Sequence, residues 1–514
     1  MAQTPRKWDV EDSRFWSSTG KRIANRNLWI SIPNLLCGFA VWLSWGMIIV
    51  RMQLLHDGDP SLFAFTFGND GKALSGEAYR ALLYMFPSVA GLAGATLRIP
   101  NSFMIAIAGG RNVIALTALL LILPALGTGL ALMHPDTGFG VFVVLAALSG
   151  VGGGAFASSM SNINFFFPKR VLGLSLGLNA GLGNLGVSVM QFLVPVVITF
   201  GLFGALGGAP HHLAGKPDLW LQNAGLVWVP IIAACMVLAW IFMNNLPIHR
   251  VGSATRAAGQ YLWLELLGFG GVAVGIAMML SLKIPELAKI LLTMVVVVCA
   301  TLALMRWLTP RSIRGNLIRQ FAIFRNRHNW IMTWLYTMSF GSFIGFSSAF
   351  PKLIADMFGY IRVDADGNAL ATAVANPHAP DAFRYAWLGA LVGSLARPVG
   401  GWLADRLGGA RVTHWDTILM IASSLGVAYF IMAARQSPTP EAYFGPFLLL
   451  FLLLFITTGI GNGSTFRMIP MVFSQEHAGP VLGWASAFAA YCAFLVPKIF
   501  SMQFKAVVTE YSLY

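Results

Sequence analysis

The chain has 514 residues, 57% of them hydrophobic and only 11% charged, with a formal net charge of +14. Soluble domains carry about 25% charged residues, so this composition excludes a cytosolic enzyme, a disordered chain and a disulfide-rich secreted domain. The basic excess fits loops that flank membrane spans and not a nucleic-acid surface. Residues 1–27 are polar and hold Arg6, Lys7, Arg14, Lys21, Arg22 and Arg26; no signal peptide is expected there, and the segment reads as a cytoplasmic tail. Apolar runs follow near 28–50, 80–108, 112–133, 139–165, 171–200 and 223–244, then near 261–282 and 287–308. The last group lies near 329–353, 383–404, 413–434, 444–468 and 479–500. Runs of about 20 residues are the length a helix needs to cross a bilayer.

The chain thus reads as an all-α membrane protein in four parts: a tail (1–27), a six-helix half (28–244), an inserted helix pair with a basic cytoplasmic linker (245–328), and a second half (329–514) with five helices. Lys and Arg favour alternate loops, among them Arg111, Lys169, Arg170, Arg250, Arg256 and the stretch RSIRGNLIRQFAIFRNRH, which suits anionic lipid at the cytoplasmic face. The opposite loops hold Asp57, Asp59, Asp70 and Glu77, or Asp364, Asp366 and Asp381. The odd number of spans suggests that a final helix is missing after Tyr514, or that two of the runs form one helix. Cys37, Cys235, Cys299 and Cys492 lie in separate apolar runs and read as small core residues, neither a disulfide framework nor a metal site.

Two segments repeat. Residues 94–111 read GATLRIPNSFMIAIAGGR and residues 393–411 read GSLARPVGGWLADRLGGAR. In each, a Gly precedes an Arg by four residues (Gly94 and Arg98, Gly393 and Arg397) and a Pro follows, Pro100 or Pro398. In each, a Gly pair begins eleven residues after the Arg, Gly109–Gly110 or Gly408–Gly409, with Arg111 or Arg411 behind it. Ser158–Ser159 and Ser464–Thr465 are a weaker echo. Such a repeat suggests two six-helix halves around a central binding site, as in major-facilitator transporters. GGWLADRLGGAR resembles the loop motif of that superfamily between its second and third helices. Asp405 and Arg406 are then expected to make charge contacts that hold one conformation closed; the alternative is a tight Gly turn with solvated charges.

An arginine deep in an apolar span costs about 2.5–3.5 kcal/mol on insertion scales. Arg98 and Arg397 both occupy such positions. Carboxylates that could neutralise them are few: Glu265 near the start of an inserted span, Asp356 and Asp405 at span ends. Two fixed cations in equivalent places point to an anion from outside the protein, because the planar guanidinium donates paired hydrogen bonds and never deprotonates. Buried structural arginines are the competing explanation. The fifth span, VLGLSLGLNAGLGNLGVSVMQ, spaces Gly173, Gly177 and Gly181 by four, with Gly183 and Gly186 behind them. This spacing reads as close helix packing. Asn179, Asn184 and Gln191 are amides in an apolar helix, of which Asn184 is the candidate ligand contact. Phe39, Phe156, Tyr336 and Phe340 lie mid-span, and the Tyr336 hydroxyl needs a partner when buried.

FWSSTGKRIANRNLWISIP, LRIPNSFMIAIAGGR, FASSMSNINFFFPKR, GLNAGLGNLGVSVMQF, LYTMSFGSFIGFS, ARPVGGWLADRLGGARVT and GNGSTFRMI closely resemble bacterial nitrate/nitrite porters of the NarK type, over nearly the whole chain except 245–325. The resemblance implies a major-facilitator fold carrying nitrate and nitrite between its halves; no metal, other cofactor or nucleic acid is expected, and the protein is expected in a bacterial inner membrane as a monomer. It places the family's substrate arginines on Arg98 and Arg397, its clamping aromatics on Phe156 and Phe340 with Phe39 nearby, and its Tyr and Asn contacts on Tyr336 and Asn184. Two departures stand out. GWASAFAAYCAFLVPK carries Ala, Tyr and Cys where the family's second signature has glycines, and the inserted helix pair occurs only in some members.

Nitrate for nitrite exchange by alternating access is the expected mode, because two like charges facing each other in low dielectric oppose closure until an anion arrives. Nitrate/proton symport would need a titrating group, for which Glu265 or a loop residue remains a candidate. An anion channel and a redox subunit are rivals from other classes. The second would need haem-ligating histidines within spans, and the nine histidines fall in loops or at span ends.

Overall fold

A segment in lipid must satisfy every backbone N–H and C=O internally, and the apolar runs accordingly form helices. The computed structural model describes residues 7–65, 82–213, 217–248 and 251–496, with positions 5, 79 and 215. Arg6, Asp70, Glu77, Arg250 and all residues after 496 lie outside the described residues. The first span is α1 (Lys21–Leu43) with α2 (Trp45–Gly58). Next come α3 (Met85–Ala108), α4 (Gly110–Met133), α5 (Phe139–Asn164), α6 (Leu172–Val197) and α7 (Trp228–Phe242). Then follow α8 (Ala254–Ser281), α9 (Glu286–Leu308) and the short basic α10 (Arg311–Gln320). A π-helical segment, Thr337–Gly341, joins α11 (Arg327–Tyr336) to α12 (Ser342–Phe358). The described chain ends with α13 (Ala382–Leu407), α14 (Gly409–Arg435), α15 (Phe444–Val472) and α16 (Gln475–Ala490).

Among the described residues ten helices are long and apolar enough to cross a membrane. The helices bearing Arg98, Tyr336 and Arg397 are not among the ten. Four points add to or correct the sequence reading. First, the polar tail is partly built into the fold: helical structure begins at Ser13, and Trp8 and Trp16 are buried. They pack on Phe166 and Phe167, and the Trp8 indole donates to Phe165 O at 2.9 Å. Second, the loop after α12 carries regular structure. It forms an antiparallel hairpin, β1 (Tyr360–Val363) and β2 (Ala369–Ala375), turned by Gly367 at φ 84°. Third, Cys299 is exposed, because α9 lies on the outside of the bundle; Cys37 and Cys235 are buried. Fourth, Glu265 is not at a span start. The Ser253 hydroxyl caps α8 by accepting from Arg256 N, which carries the helix well ahead of the apolar run and leaves Glu265 buried within it.

Tight packing positions the centre. α3 lies against α5, α6 against α1, and α13 against α15. α6 crosses to α13, and α16 crosses to α3 and α5. α3 turns into α4 at Gly109, φ 82°, and α13 turns into α14 at Gly408, φ 87°, a conformation that only glycine adopts without strain. α8 packs on α3: Glu265 Oε1 accepts from Asn101 at 2.7 Å, and Thr117 of α4 donates to the Tyr261 hydroxyl at 3.0 Å.

Candidate functional site

Arg98 and Arg397 come from α3 and α13, Arg98 two residues before Pro100 and Arg397 immediately before Pro398, the prolines inside those helices. Both are buried, at 0% and 1% exposure. The Arg98 guanidinium donates through Nε to Gly153 O at 2.9 Å and through Nη1 to Ser486 O at 3.0 Å. Its Nη2 has no partner. Arg397 donates through Nη2 to the Tyr336 hydroxyl at 2.6 Å, and its Nε has no partner. Hydrogen-bond neighbours orient the Asn184 amide with its nitrogen toward Ala180 O (3.2 Å) and its oxygen toward Arg397 Nη1 (3.1 Å). Among the described residues no carboxylate forms a salt bridge with either arginine.

The two cations share one aromatic pair. Phe156 and Phe340 stack at 5.4 Å with planes 16° apart. Arg98 Cζ lies 4.6 Å from the Phe156 centroid and 5.0 Å from that of Phe340; Arg397 Cζ lies 5.3 and 5.6 Å away. Phe39 completes the wall at 5.8 Å from Arg98 Cζ. A cation over an aromatic face recovers about 0.5–2 kcal/mol, which offsets only part of the cost of burying a guanidinium in the protein interior. A buried donor without a partner costs a further ~1–3 kcal/mol. The geometry is suited to a small planar anion, which accepts from several directions at once.

The glycines of α6 make close backbone approaches. A Cβ on Gly177 would lie 2.9 Å from Pro398 Cα, and one on Gly181 2.5 Å from Ser394 O, so α6 meets α13 there. Gly183 faces Leu35, and Gly186 approaches Leu36 O, both of α1. Gly173 lies at Gly401 O beside Asp405 and Arg467. Asp405 Oδ1 pairs with Arg467 Nε, and the same carboxylate accepts from Gly173 N (3.2 Å) and Leu174 N (2.9 Å) at the start of α6. A negative charge at a helix N-terminus is favourable. Arg406 lies 4.3 Å over Trp402. The other turn is built differently: Asn245 Oδ1 accepts from Arg111 N at 3.0 Å, Arg111 Cζ lies 5.1 Å over Trp240, and Gly110 faces Asn162. Gly409 faces Met468 and Ser464 O.

Several residues at the centre escaped the sequence reading. Trp42 lies 5.3 Å from Arg98 Cζ; Phe466 lies 5.1 Å from Arg397 Cζ and stacks on Tyr336 at 4.0 Å. Phe466 sits inside GNGSTFRMI, so its motif was visible, whereas an aromatic alone was not distinctive. Arg467, also in an apolar run, was an available signal. Gly153 O and Ser486 O are backbone groups and leave no trace in side-chain identity. Tyr491, one of the residues that departs from the expected glycines of α16, shares a hydrogen bond with Thr96 Oγ1 at 3.0 Å.

The helix bundle defines the class. The fold is that of a major-facilitator transporter: it is similar to the xylose transporter XylE from E. coli in a partially occluded inward-open conformation, with a TM-score of 0.53 and 13% identity over 93% of this chain and 92% of that one. XylE bound to 6-bromo-6-deoxy-D-glucose gives a TM-score of 0.51 at 16% identity, covering 95% and 90%. The chain belongs to the nitrate/nitrite transporter family. It is 35% identical to a probable nitrate/nitrite antiporter, NarK2, of Thermus thermophilus over 95% of its length and 87% of the relative's. It is 31% identical to the nitrate/nitrite transporter NarU of Escherichia coli K12, over 97% and 89%. No family model matches the chain.

Proposed function

We propose that this chain is a secondary transporter that exchanges nitrate and nitrite by alternating access, with the anion held between Arg98 and Arg397. The observation that carries this reading is the shared aromatic pair: two buried guanidiniums converge on Phe156 and Phe340, each with an unpartnered N–H and neither, among the described residues, paired with a carboxylate. Two like charges facing each other in a low-dielectric interior repel. An anion between them reverses that sign, so the two halves close when loaded. Tyr336 and Asn184 orient Arg397; Gly153 O and Ser486 O orient Arg98; Phe39 closes the wall. The Asp405–Arg467 pair, seated on the N-terminus of α6, acts as the latch between residues 28–244 and 329–514, with Gly408 and Gly409 as its turn. The N-terminus is cytoplasmic, the membrane is the bacterial inner membrane, and the protein works as a monomer. The inserted α8 and α9 buttress α3, and α10 lies on anionic lipid.

Purified protein in vesicles tests this. Internal nitrite should stimulate uptake of labelled nitrate, and an imposed pH gradient should not drive it. Uptake that follows the gradient without internal anion would replace exchange with symport. Flux indifferent to the internal anion would indicate a channel.

A further inference from the structure

Asp416 stands on α14 at a place the repeat makes informative. The offset that takes Arg98 to Arg397, Gly109 to Gly408 and Gly110 to Gly409 takes Thr117 to Asp416. Thr117 is neutral, buried and hydrogen-bonded to Tyr261. Asp416 is a carboxyl group with 6% exposure whose Oδ2 has no hydrogen-bond partner. A Cβ on Gly461 of α15 would lie 2.6 Å from that oxygen and 3.1 Å from Ser339 Cβ. Asp416 therefore abuts the π-helical segment whose next residue, Phe340, lies against both arginines. The Ser339 hydroxyl is turned away, toward Leu335 O at 3.3 Å.

The charged neighbours are committed elsewhere. On α13, Arg397 faces Tyr336, Asp405 pairs with Arg467 of α15, and Arg406 lies over Trp402. On α14, Arg411 and His414 are exposed near its start and Arg435 ends it. Lys352 and Asp356 fall in the last two turns of α12, Arg362 is on β1, and Glu441 accepts from Asn376, all toward the end of the bundle where α14 finishes. An ionised carboxylate left without a donor in a low-dielectric interior costs several kcal/mol, and such a group takes a proton instead.

We propose that Asp416 is a proton-binding site that licenses closure around the anion. The closed form holds the carboxylic acid. On opening, the carboxyl group exchanges its proton with bulk water, COOH giving COO⁻ and H⁺, and must regain it before the next closure. Both legs of an exchange pass through the closed form, so the proton crosses with each leg and no net proton moves. This rests on the exchange reading above, since closure around the anion is the step it gates.

The test is nitrate/nitrite exchange in vesicles at equal internal and external pH. Above the pH at which the open form ionises, the wild-type rate should fall about tenfold per pH unit. Asp416→Asn and Asp416→Thr, the second supplying the residue of the other half, should keep the acid-pH rate within about twofold and show no alkaline fall. A second measurement needs no variant: nitrate added to the wild-type protein in weakly buffered alkaline solution should cause proton uptake, read with a pH dye. A flat wild-type profile, an unchanged alkaline fall in the variants, variants inactive at every pH, or no proton uptake would each overturn the proposal. Absence of wild-type exchange at acid pH would instead sink the exchange reading itself.

Discussion

At the scale of single residues, the site depends on direction more than on charge. Lysine keeps the cation of Arg98 or Arg397 but cannot reproduce the fork that reaches Gly153 O and Ser486 O, or Tyr336 and Asn184, while leaving a donor for substrate. Arg98→Lys and Arg397→Lys should each lower exchange by about 10- to 100-fold, matching the ~1.5–3 kcal/mol of a hydrogen bond to a charged group. The protein should still elute as a single folded species; near-normal flux would remove these arginines from the site. His211 makes a different prediction. It is buried in the loop after α6, its Nε2 facing Leu132 O at 2.8 Å, and burial holds its imidazole below the usual range. The folded protein therefore resists protonation where the unfolded chain accepts it. Stability is full above the ordinary histidine pKa of about 6.5 and declines as pH falls below it. Thermal unfolding in detergent between pH 7 and 5 should show this decline, and His211→Asn should reduce it.

At the scale of elements, α6 forms a close seam with α13. Gly173, Gly177 and Gly181 touch α13 through backbone atoms that cannot yield as a flexible side chain does. Gly181→Ala places a methyl group 2.5 Å from Ser394 O, so closure there requires a shift of the helices. Exchange should fall at least about tenfold while the melting temperature changes little, since overpacking costs of ~1–3 kcal/mol would fall on the closed state. A large loss of stability with unchanged flux would show the contact to be static. The spacing of these glycines made a close approach legible in the sequence. Which helix lay opposite was not, because a stripe of small residues specifies a distance and not a partner. Asp405 was recognised by its motif, yet its partners, Arg467 and the N-terminus of α6, come from segments remote in the chain.

At the scale of the whole molecule, exchange of one monovalent anion for another moves no net charge. An imposed membrane potential should leave the rate of nitrate uptake into nitrite-loaded vesicles unchanged, as read with a potassium gradient and an ionophore. A rate that tracks the potential would indicate movement of the anion alone. The whole molecule also explains why α8 and α9 fit: α8 packs on α3, where Gly268 meets Leu97 and Pro100 and Gly275 meets Leu92, and it adds hydrogen bonds between Glu265 and Asn101 of α3 and between Tyr261 and Thr117 of α4.

Span lengths, the repeat and the two stranded arginines were legible in the linear sequence, because lipid enforces apolar runs of fixed length and makes any charge within them conspicuous. The same pattern could not show that both arginines share the stacked pair Phe156 and Phe340, that backbone carbonyls hold Arg98, or that Asp416 lies beside the segment that carries Phe340. Those facts depend on which faces of distant helices meet. That was decided by packing in three dimensions, where close approach of glycine backbones and the direction of each hydrogen bond select one arrangement from many of similar hydropathy.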